Sequence, residues 1–121
     1  MTSVIECGLE GFNTVFKSDT WQIATITYAH QYSPEGFDHM KRHFFTDEVL
    51  ILVNGSATLH TCEDGKLISE EVEKGKIYCI HKNTWHYLCV SSDALLVVAE
   101  DADVMPSQSE RMDLECLLQN K

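Results

Sequence analysis

The chain has 121 residues, of which 44% are hydrophobic, and a formal net charge of −10. This length and composition predict one domain, residues 1–121, with a single core. The acidic balance excludes the basic surface that phosphate-backbone binding requires, so we expect no nucleic-acid partner and no membrane partner.

The N-terminal segment, residues 1–7, has no basic stretch followed by an apolar one, so no secretory signal is expected. No apolar run approaches the roughly 18–20 residues that a membrane-spanning helix needs. The five cysteines are scattered, without a Cys-x-x-Cys pair, which is typical of free thiols in a reducing compartment. We therefore predict a cytoplasmic protein in which Cys79 and Cys89 are small buried hydrophobic residues.

Strand signals follow one another along most of the chain. Residues 21–28 are rich in β-branched and aromatic side chains and predict a strand. Residues 48–53 have apolar side chains on both faces, which predicts a strand buried from two sides, inside a sandwich or at a subunit contact. The remaining predicted strands cover residues 56–62, 67–72, 76–81, 85–90 and 94–99.

Turn signals separate these strands at short intervals. Asp64-Gly65 lies between two strand-like runs and predicts a hairpin, and Gly55 ends an earlier strand. Short strands separated every eight to twelve residues by turns predict an all-β sandwich or barrel. Only the C-terminal tail, residues 109–118, has a helical pattern, with leucines at 114, 117 and 118 on one face.

Two histidines and a glutamate are candidate metal ligands. His43 shares a strand face with Lys41, and the turn over residues 44–47 resets the register so that Glu48 can face the same interior. His86 begins a later strand and could join them. Imidazole and carboxylate ligands suit Zn, Mn, Fe, Ni or Cu. The alternative is that the same three residues are hydrogen-bonded to one another in a polar pocket without a metal.

The spacing of these residues resembles a pattern of the cupin superfamily. In this chain Gly36 is followed by four residues, Lys41-x-His43, four residues, Glu48, six residues and Gly55. The cupin pattern is glycine, five residues, His-x-His, three or four residues, glutamate, six residues and glycine. Lys41 therefore stands where the first histidine is usual, and a lysine is cationic at its ordinary pKa.

The second cupin motif is matched more loosely. It has the form glycine, five residues, Pro-x-Gly, two residues, histidine, three residues and asparagine. Here Gly75 is followed after five residues by the turn at 81–83, then by His86, with Val90 where asparagine is usual. The resemblance covers about residues 21–100. It implies an all-β, double-stranded β-helix barrel of the jelly-roll type, with a short C-terminal helical tail.

The resemblance also implies a function class without naming a reaction. It implies a barrel that binds a small polar molecule, a sugar derivative or an organic acid, with a divalent metal on His43, Glu48 and His86. Lys41 and Tyr78 are the candidate substrate-binding residues, and no catalytic residue is identified. The alternative is a metal-free, non-catalytic binding or sensory module, so the sequence leaves open whether the protein is an enzyme. Cupins often pair through such sheets, which predicts a homodimer.

Overall fold

The computed structural model describes residues 1–104 and 106–119. Within these ranges the chain forms ten strands, three short 3-10 helices and one α-helix, α1, at Leu114–Gln119. The strands are β1 Phe12–Lys17, β2 Trp21–Thr27, β3 His39–His43, β4 Glu48–Asn54, β5 Ala57–Glu63, β6 Lys66–Val72, β7 Ile77–Ile80, β8 Trp85–Val90, β9 Leu95–Asp101 and β10 Ser109–Asp113. The predicted all-β fold with a short C-terminal helix is confirmed.

The strands form two five-stranded antiparallel sheets. The first sheet has the order β1-β2-β9-β4-β7 and the second has the order β10-β3-β8-β5-β6. Strands far apart in the sequence are therefore neighbours, as in a jelly roll, where both sheets close around one interior. No helix among the described residues is long and apolar enough to cross a lipid bilayer.

Period-two alternation explains which side chains fill the interior. In β9, Leu96 and Val98 are fully buried, while the neighbouring Leu95 and Val97 face outward and are only partly covered. Leu50 in β4 is 1% exposed and continues the same layer. These and other inward side chains form one apolar cluster between the sheets: Ala24, Ile26, Leu50, Leu52, Ala57, Leu59, Val72, Ile80, Leu88, Val90, Ala94, Leu96 and Val98.

Two of the predicted turns depend on backbone geometry. Asp64 and Gly65 have φ of 52° and 75°, which is the left-handed pair that a two-residue hairpin between β5 and β6 uses. Gly55 has φ of 75°, and a Cβ there would lie 2.7 Å from Ala94 Cα. Glycine at position 55 is therefore required both by conformation and by the close approach of the neighbouring chain.

The seven predicted strands are confirmed to within two residues at each end. The tail prediction was wrong in its first half, because Ser109–Asp113 is the strand β10 and only Leu114–Gln119 is helical. β10 pairs with β3, with Met112 opposite Met40. The edge of β3 offers backbone hydrogen-bonding groups to this segment, and such pairing overrides a weak local helical preference.

The expectation for the two strand cysteines was half wrong. Cys89 is buried, as predicted, whereas Cys79 is exposed. β7 is the edge strand of the first sheet, and Cys79 shares its outward face with Ile77. Since side chains alternate along a strand, Tyr78 and Ile80 take the inward positions and leave the thiol outside.

Candidate metal centre

Three residues from three strands converge at one end of the barrel. Glu48 begins β4, His43 ends β3, and His86 is the second residue of β8. Glu48 Oε2 lies 3.7 Å from His43 Nε2 and 3.3 Å from His86 Nε2. One donor atom from each residue lies within 4.8 Å of the other two, so one ion could contact all three.

The connection between β3 and β4 brings His43 and Glu48 together by crossing from one sheet to the other. β3 lies in the second sheet and β4 in the first, so both strands can direct a side chain into the interior despite the odd residue spacing. Thr46 Oγ1 in this connection accepts a hydrogen bond of 3.0 Å from the backbone N–H of Asp101. This hydrogen bond fixes the position of the connection relative to β9 at the mouth of the barrel.

Glu48 is buried and incompletely satisfied. The residue is 8% exposed, and its Oε2 has no hydrogen-bond partner among the described residues. His86 at 3.3 Å makes an ion-pair contact rather than a well-aligned hydrogen bond. A buried carboxylate oxygen left facing two imidazole nitrogens fits the ligand chemistry of a divalent transition metal.

Hydrogen bonds on the far side of each ring orient the imidazoles. His86 Nδ1 lies 2.9 Å from the backbone carbonyl of Thr84, and because a carbonyl only accepts, Nδ1 carries the proton. His43 Nδ1 lies 2.7 Å from Ser109 Oγ. Both contacts direct Nε2 toward Glu48, as the outer partners of metal-bound histidines do. Nothing in the sequence pointed to Ser109, because its position depends on the pairing of β10 with β3.

The electrostatics keep Glu48 ionised despite its burial. Burial raises the pKa of this carboxyl, but His86, followed by His43, outweighs it and holds the pKa below its usual value. Burial lowers the pKa of His86, yet the contact with Glu48 outweighs it, so the pKa is raised. Burial, followed by the charges of His86 and Lys41, outweighs the opposing effect of Glu48 and lowers the pKa of His43. The Glu48 carboxylate thus faces two different imidazoles. The surroundings of His86 favour its protonated form, and those of His43 disfavour it.

A second carboxyl group lies in the same mouth and was missed by the sequence analysis. Burial, together with the charge of Glu48, raises the pKa of Glu100 to about 7. Gln22 Nε2 donates a hydrogen bond of 3.0 Å to Glu100 Oε1. Burial and the charge of Glu48 also raise the pKa of Tyr32. Alternation from the buried Val98 would have placed Glu100 inward, had the predicted strand been extended beyond residue 99.

The two predicted substrate-binding residues have different surroundings. Lys41 is exposed on β3 and lies opposite His86 in the register of β3 and β8. Tyr78 is partly buried, and its hydroxyl accepts a hydrogen bond of 2.9 Å from Glu73 N–H and donates one to the carbonyl of Glu71. Lys41 is therefore free to reach a ligand, whereas the Tyr78 hydroxyl is already used by the β6–β7 connection. A binding role for either residue stays a prediction.

Comparison with solved structures identifies the architecture. A single-residue variant of Streptomyces PAC13 with uridine superposes with a TM-score of 0.66 at 8% identity, over 93% of this chain and 93% of that one. A cupin-2 domain protein from Shewanella frigidimarina superposes with a TM-score of 0.59 at 14% identity, over 78% of this chain and 84% of that one. These likenesses show that the chain has the cupin fold.

A third likeness is to a larger protein. The FeII form of HppE superposes with a TM-score of 0.56 at 9% identity, over 74% of this chain and 48% of HppE. The chain thus corresponds to about half of HppE. No protein-family profile and no curated protein sequence matches the chain. The structural likenesses therefore carry the fold assignment, and the chemistry has to be argued from the residues in the barrel mouth.

Proposed function

We propose that this cupin-fold protein holds a divalent transition metal on His43, Glu48 and His86 and uses it to bind a small polar molecule in the barrel mouth. The unsatisfied Oε2 of Glu48 carries this proposal. This buried carboxylate oxygen makes no hydrogen bond and faces two imidazole nitrogens, and the three groups together form a ligand set that Zn, Mn, Fe, Ni or Cu can use.

The residues around the three ligands support a polar ligand with oxygen atoms. Lys41 offers an exposed cation for an anionic group, and Gln22 and Glu100 offer hydrogen-bonding groups inside the mouth. A sugar derivative or an organic acid presents such groups. Among the structural neighbours, PAC13 is seen with uridine, itself a sugar derivative, and is described as a nucleoside dehydratase, and HppE is seen with FeII.

Two groups in the mouth would act on a bound ligand: the metal and Glu100. A metal, when bound, would act as a Lewis acid toward ligand oxygen atoms. Glu100, with a pKa of about 7, can accept or donate a proton near neutral pH, which is the property that acid–base chemistry needs. The buried apolar cluster below the mouth closes the barrel from the other end. We therefore assign Glu100 as the candidate acid–base group, should the bound molecule be turned over.

A metal-free binding module is the second candidate, and Lys41 favours it. This cation replaces the histidine that is usual at its position in cupins and lies opposite His86 in the sheet. A positive charge at the mouth weakens cation binding and strengthens anion binding. In this alternative His43, Glu48 and His86 form a polar anchor for the ligand itself.

We also propose that the protein is a cytoplasmic homodimer. The outer face of the first sheet carries apolar side chains that the described chain leaves uncovered: Trp21 is 47% exposed, Val53 49% and Ile77 71%. Such a face is stabilised when a second copy covers it. Sedimentation velocity at high protein concentration is expected to show a dimer, and a single 13.7 kDa species would contradict this proposal.

Metal loading tests the main proposal. Protein purified without an affinity tag, treated with chelator and reloaded with Mn²⁺, is expected to bind about one equivalent at the mouth. His86→Ala and Glu48→Gln should each lower the affinity at least about tenfold, because each removes one of three ligands. His30→Ala is the matched control, since it removes an exposed imidazole outside the candidate metal centre.

The ligand experiment separates the two candidates. Uridine and citrate, as examples of a sugar derivative and an organic acid, are added to loaded and to chelator-treated protein, and the melting temperature is followed. Stabilisation only of loaded protein supports the metal-dependent proposal, whereas equal stabilisation of both forms supports the metal-free module. Uptake of less than about a tenth of an equivalent of Mn²⁺, Fe²⁺ and Zn²⁺ at the mouth contradicts the metal proposal.

A further inference from the structure

A second cluster of metal-ligating side chains lies on the outside of the first sheet. Cys79 Sγ lies 3.8 Å from His81 Nδ1, and His81 Nδ1 lies 3.8 Å from Asp47 Oδ1. One donor atom from each residue lies within 4.8 Å of the other two, and all three residues are exposed. A thiol, an imidazole and a carboxylate thus meet at one point on the surface.

The pairing of β4 with β7 brings these residues together. In this ladder Glu48 pairs with Ile80 and Val49 with Cys79. Extending the same register by one residue places Asp47 opposite His81. Odd-numbered residues of both strands then face outward, so the alternation that directs Glu48 into the barrel directs its neighbour Asp47 to the surface. Cys79 therefore lies on β7, and Asp47 and His81 are the residues immediately beyond the paired ends of β4 and β7.

Further hydrogen bonds hold the two ends of this ladder. The backbone N–H of Lys82 donates a hydrogen bond of 2.8 Å to Asp47 Oδ1, which orients the carboxylate next to the imidazole. The backbone N–H of Asn83 donates a bond of 2.7 Å to the carbonyl of His43, which ties the segment after β7 to the segment before β4. The donors are thus held in position before any ion arrives, which lowers the entropic cost of binding.

We propose that Cys79, His81 and Asp47 form a second divalent-metal site, selective for a thiolate-binding cation such as Zn²⁺, with its remaining position open to solvent. Donor atoms around a tetrahedral zinc ion lie about 3.3–3.8 Å apart, given bonds of about 2.0–2.3 Å. Two of the separations in the cluster are 3.8 Å and the third is within 4.8 Å, so closure requires the Cys79 thiol and the Asp47 carboxylate to approach each other by up to about 1 Å. Binding converts the Cys79 thiol to a thiolate, and its proton passes to solvent.

The donor chemistry separates this outer site from the one in the barrel mouth. The inner set, His43, Glu48 and His86, contains nitrogen and oxygen donors only, which suit Mn²⁺ and Fe²⁺ as well as Zn²⁺. The outer set contains a sulfur donor, which favours Zn²⁺ and Co²⁺ over Mn²⁺. A sulfur-to-metal charge-transfer band therefore cannot come from the inner site, whatever metal that site holds.

Cobalt titration tests the outer site. Chelator-treated, reduced protein is titrated with Co²⁺, and the near-ultraviolet absorbance from thiolate coordination is expected to saturate and then to disappear when Zn²⁺ is added. Cys79→Ser should abolish the band, and His81→Ala should weaken cobalt binding about tenfold or more. All these side chains are exposed, so the variants are expected to keep the fold, which far-ultraviolet circular dichroism checks.

The controls are a cysteine and a histidine outside the cluster. Cys116→Ser removes an exposed thiol, and His30→Ala removes an exposed imidazole, and neither should change the cobalt band. A thiolate band that survives Cys79→Ser, or that Cys116→Ser removes equally, would overturn the proposal. So would the absence of any band at about millimolar Co²⁺, which is far above the concentration that a preorganised three-ligand site requires.

Discussion

The two ends of the barrel interior are built from the same strands but differ in chemistry. β9 contributes Leu96 and Val98 to the closed end and Glu100 to the mouth. In the same way, β4 contributes Leu50 to the closed end and Glu48 to the mouth. In both strands the inward side chains are apolar at the closed end, and the inward side chain that lies in the mouth is a glutamate.

This difference shows which part of the interior stabilises the fold and which part is available for binding. The closed end buries apolar side chains and needs no partner outside the chain. The mouth buries Glu48, whose Oε2 makes no hydrogen bond and faces two imidazoles, and it raises the pKa of Glu100 to about 7, which lowers stability as that carboxyl ionises. Buried polar groups with shifted pKa values that lower stability are typical of functional sites.

The largest effect is expected from a cavity at the closed end. Leu96→Ala removes a fully buried side chain, and the free energy of unfolding should fall by about 2–5 kcal/mol. Urea denaturation measures this loss, and Leu67→Ala, at a position that is 41% exposed, is the control that should cost far less. Molecules of the Leu96 variant that remain folded should bind metal as the wild type does. A loss of metal affinity in the folded variant would show that the two ends are coupled.

An intermediate effect is expected from the residue that orients His43. Ser109→Ala removes the 2.7 Å contact between Ser109 Oγ and His43 Nδ1, and metal affinity at the mouth should fall about 10–100-fold. Competition against a chelating dye measures the affinity. Ser69→Ala is a closely matched control, because it removes a 2.8 Å contact to Nδ1 of His60, which lies outside the metal cluster. Equal losses in both variants would contradict an orienting role for Ser109.

The smallest effect is expected from Glu100 and depends on pH. Because the pKa of Glu100 is raised to about 7 in the folded state, its carboxyl retains a proton that the unfolded chain has lost, and stability falls as pH rises from about 4.5 to about 7. Glu100→Gln keeps the hydrogen-bonded shape without the charge. At pH 8 the variant should be more stable than the wild type, by about 1 kcal/mol once solvent screening is allowed for.

Urea denaturation of chelator-treated protein at pH 5 and pH 8 measures this pH dependence. The free energies of unfolding of the two proteins should differ little near pH 5, where Glu100 has caused only a small part of its loss of stability. They should differ most at pH 8. Comparing the variant with the wild type cancels the titrating groups that lie far from Glu100. Parallel stability curves for the two proteins across this pH range would show that Glu100 is ionised at little cost and would remove it as the acid–base group of the mouth.

Much of the strand pattern could be predicted from the sequence because its signals are local. Alternation and turn residues such as Asp64-Gly65 act over a few positions, and the strands they predict agree with the structure. The tail was misjudged for the opposite reason, since β10 exists through its pairing with β3. Glu100 was missed because the predicted strand ended one residue before it.

The candidate metal centre was likewise predicted from the sequence only in part. The convergence of His43, Glu48 and His86 was predicted from strand register and from a resemblance in motif spacing, and the structure brings their donor atoms together. Ser109 and Gln22 could not be predicted, because each reaches the mouth on a strand paired with a distant segment. The outer cluster of Cys79, His81 and Asp47 was also hidden, since it depends on the register between β4 and β7.

The sequence by itself determined the all-β class, the alternation of each strand and the residue types available as ligands, because these follow from interactions between near neighbours in the chain. Only the tertiary structure decided which inward positions share the mouth, which groups orient the imidazoles and which carboxyl group stays protonated near neutral pH. Sheet order and register set those distances, and burial and charge act through distance, so neighbours in space rather than in sequence determine the chemistry of the site.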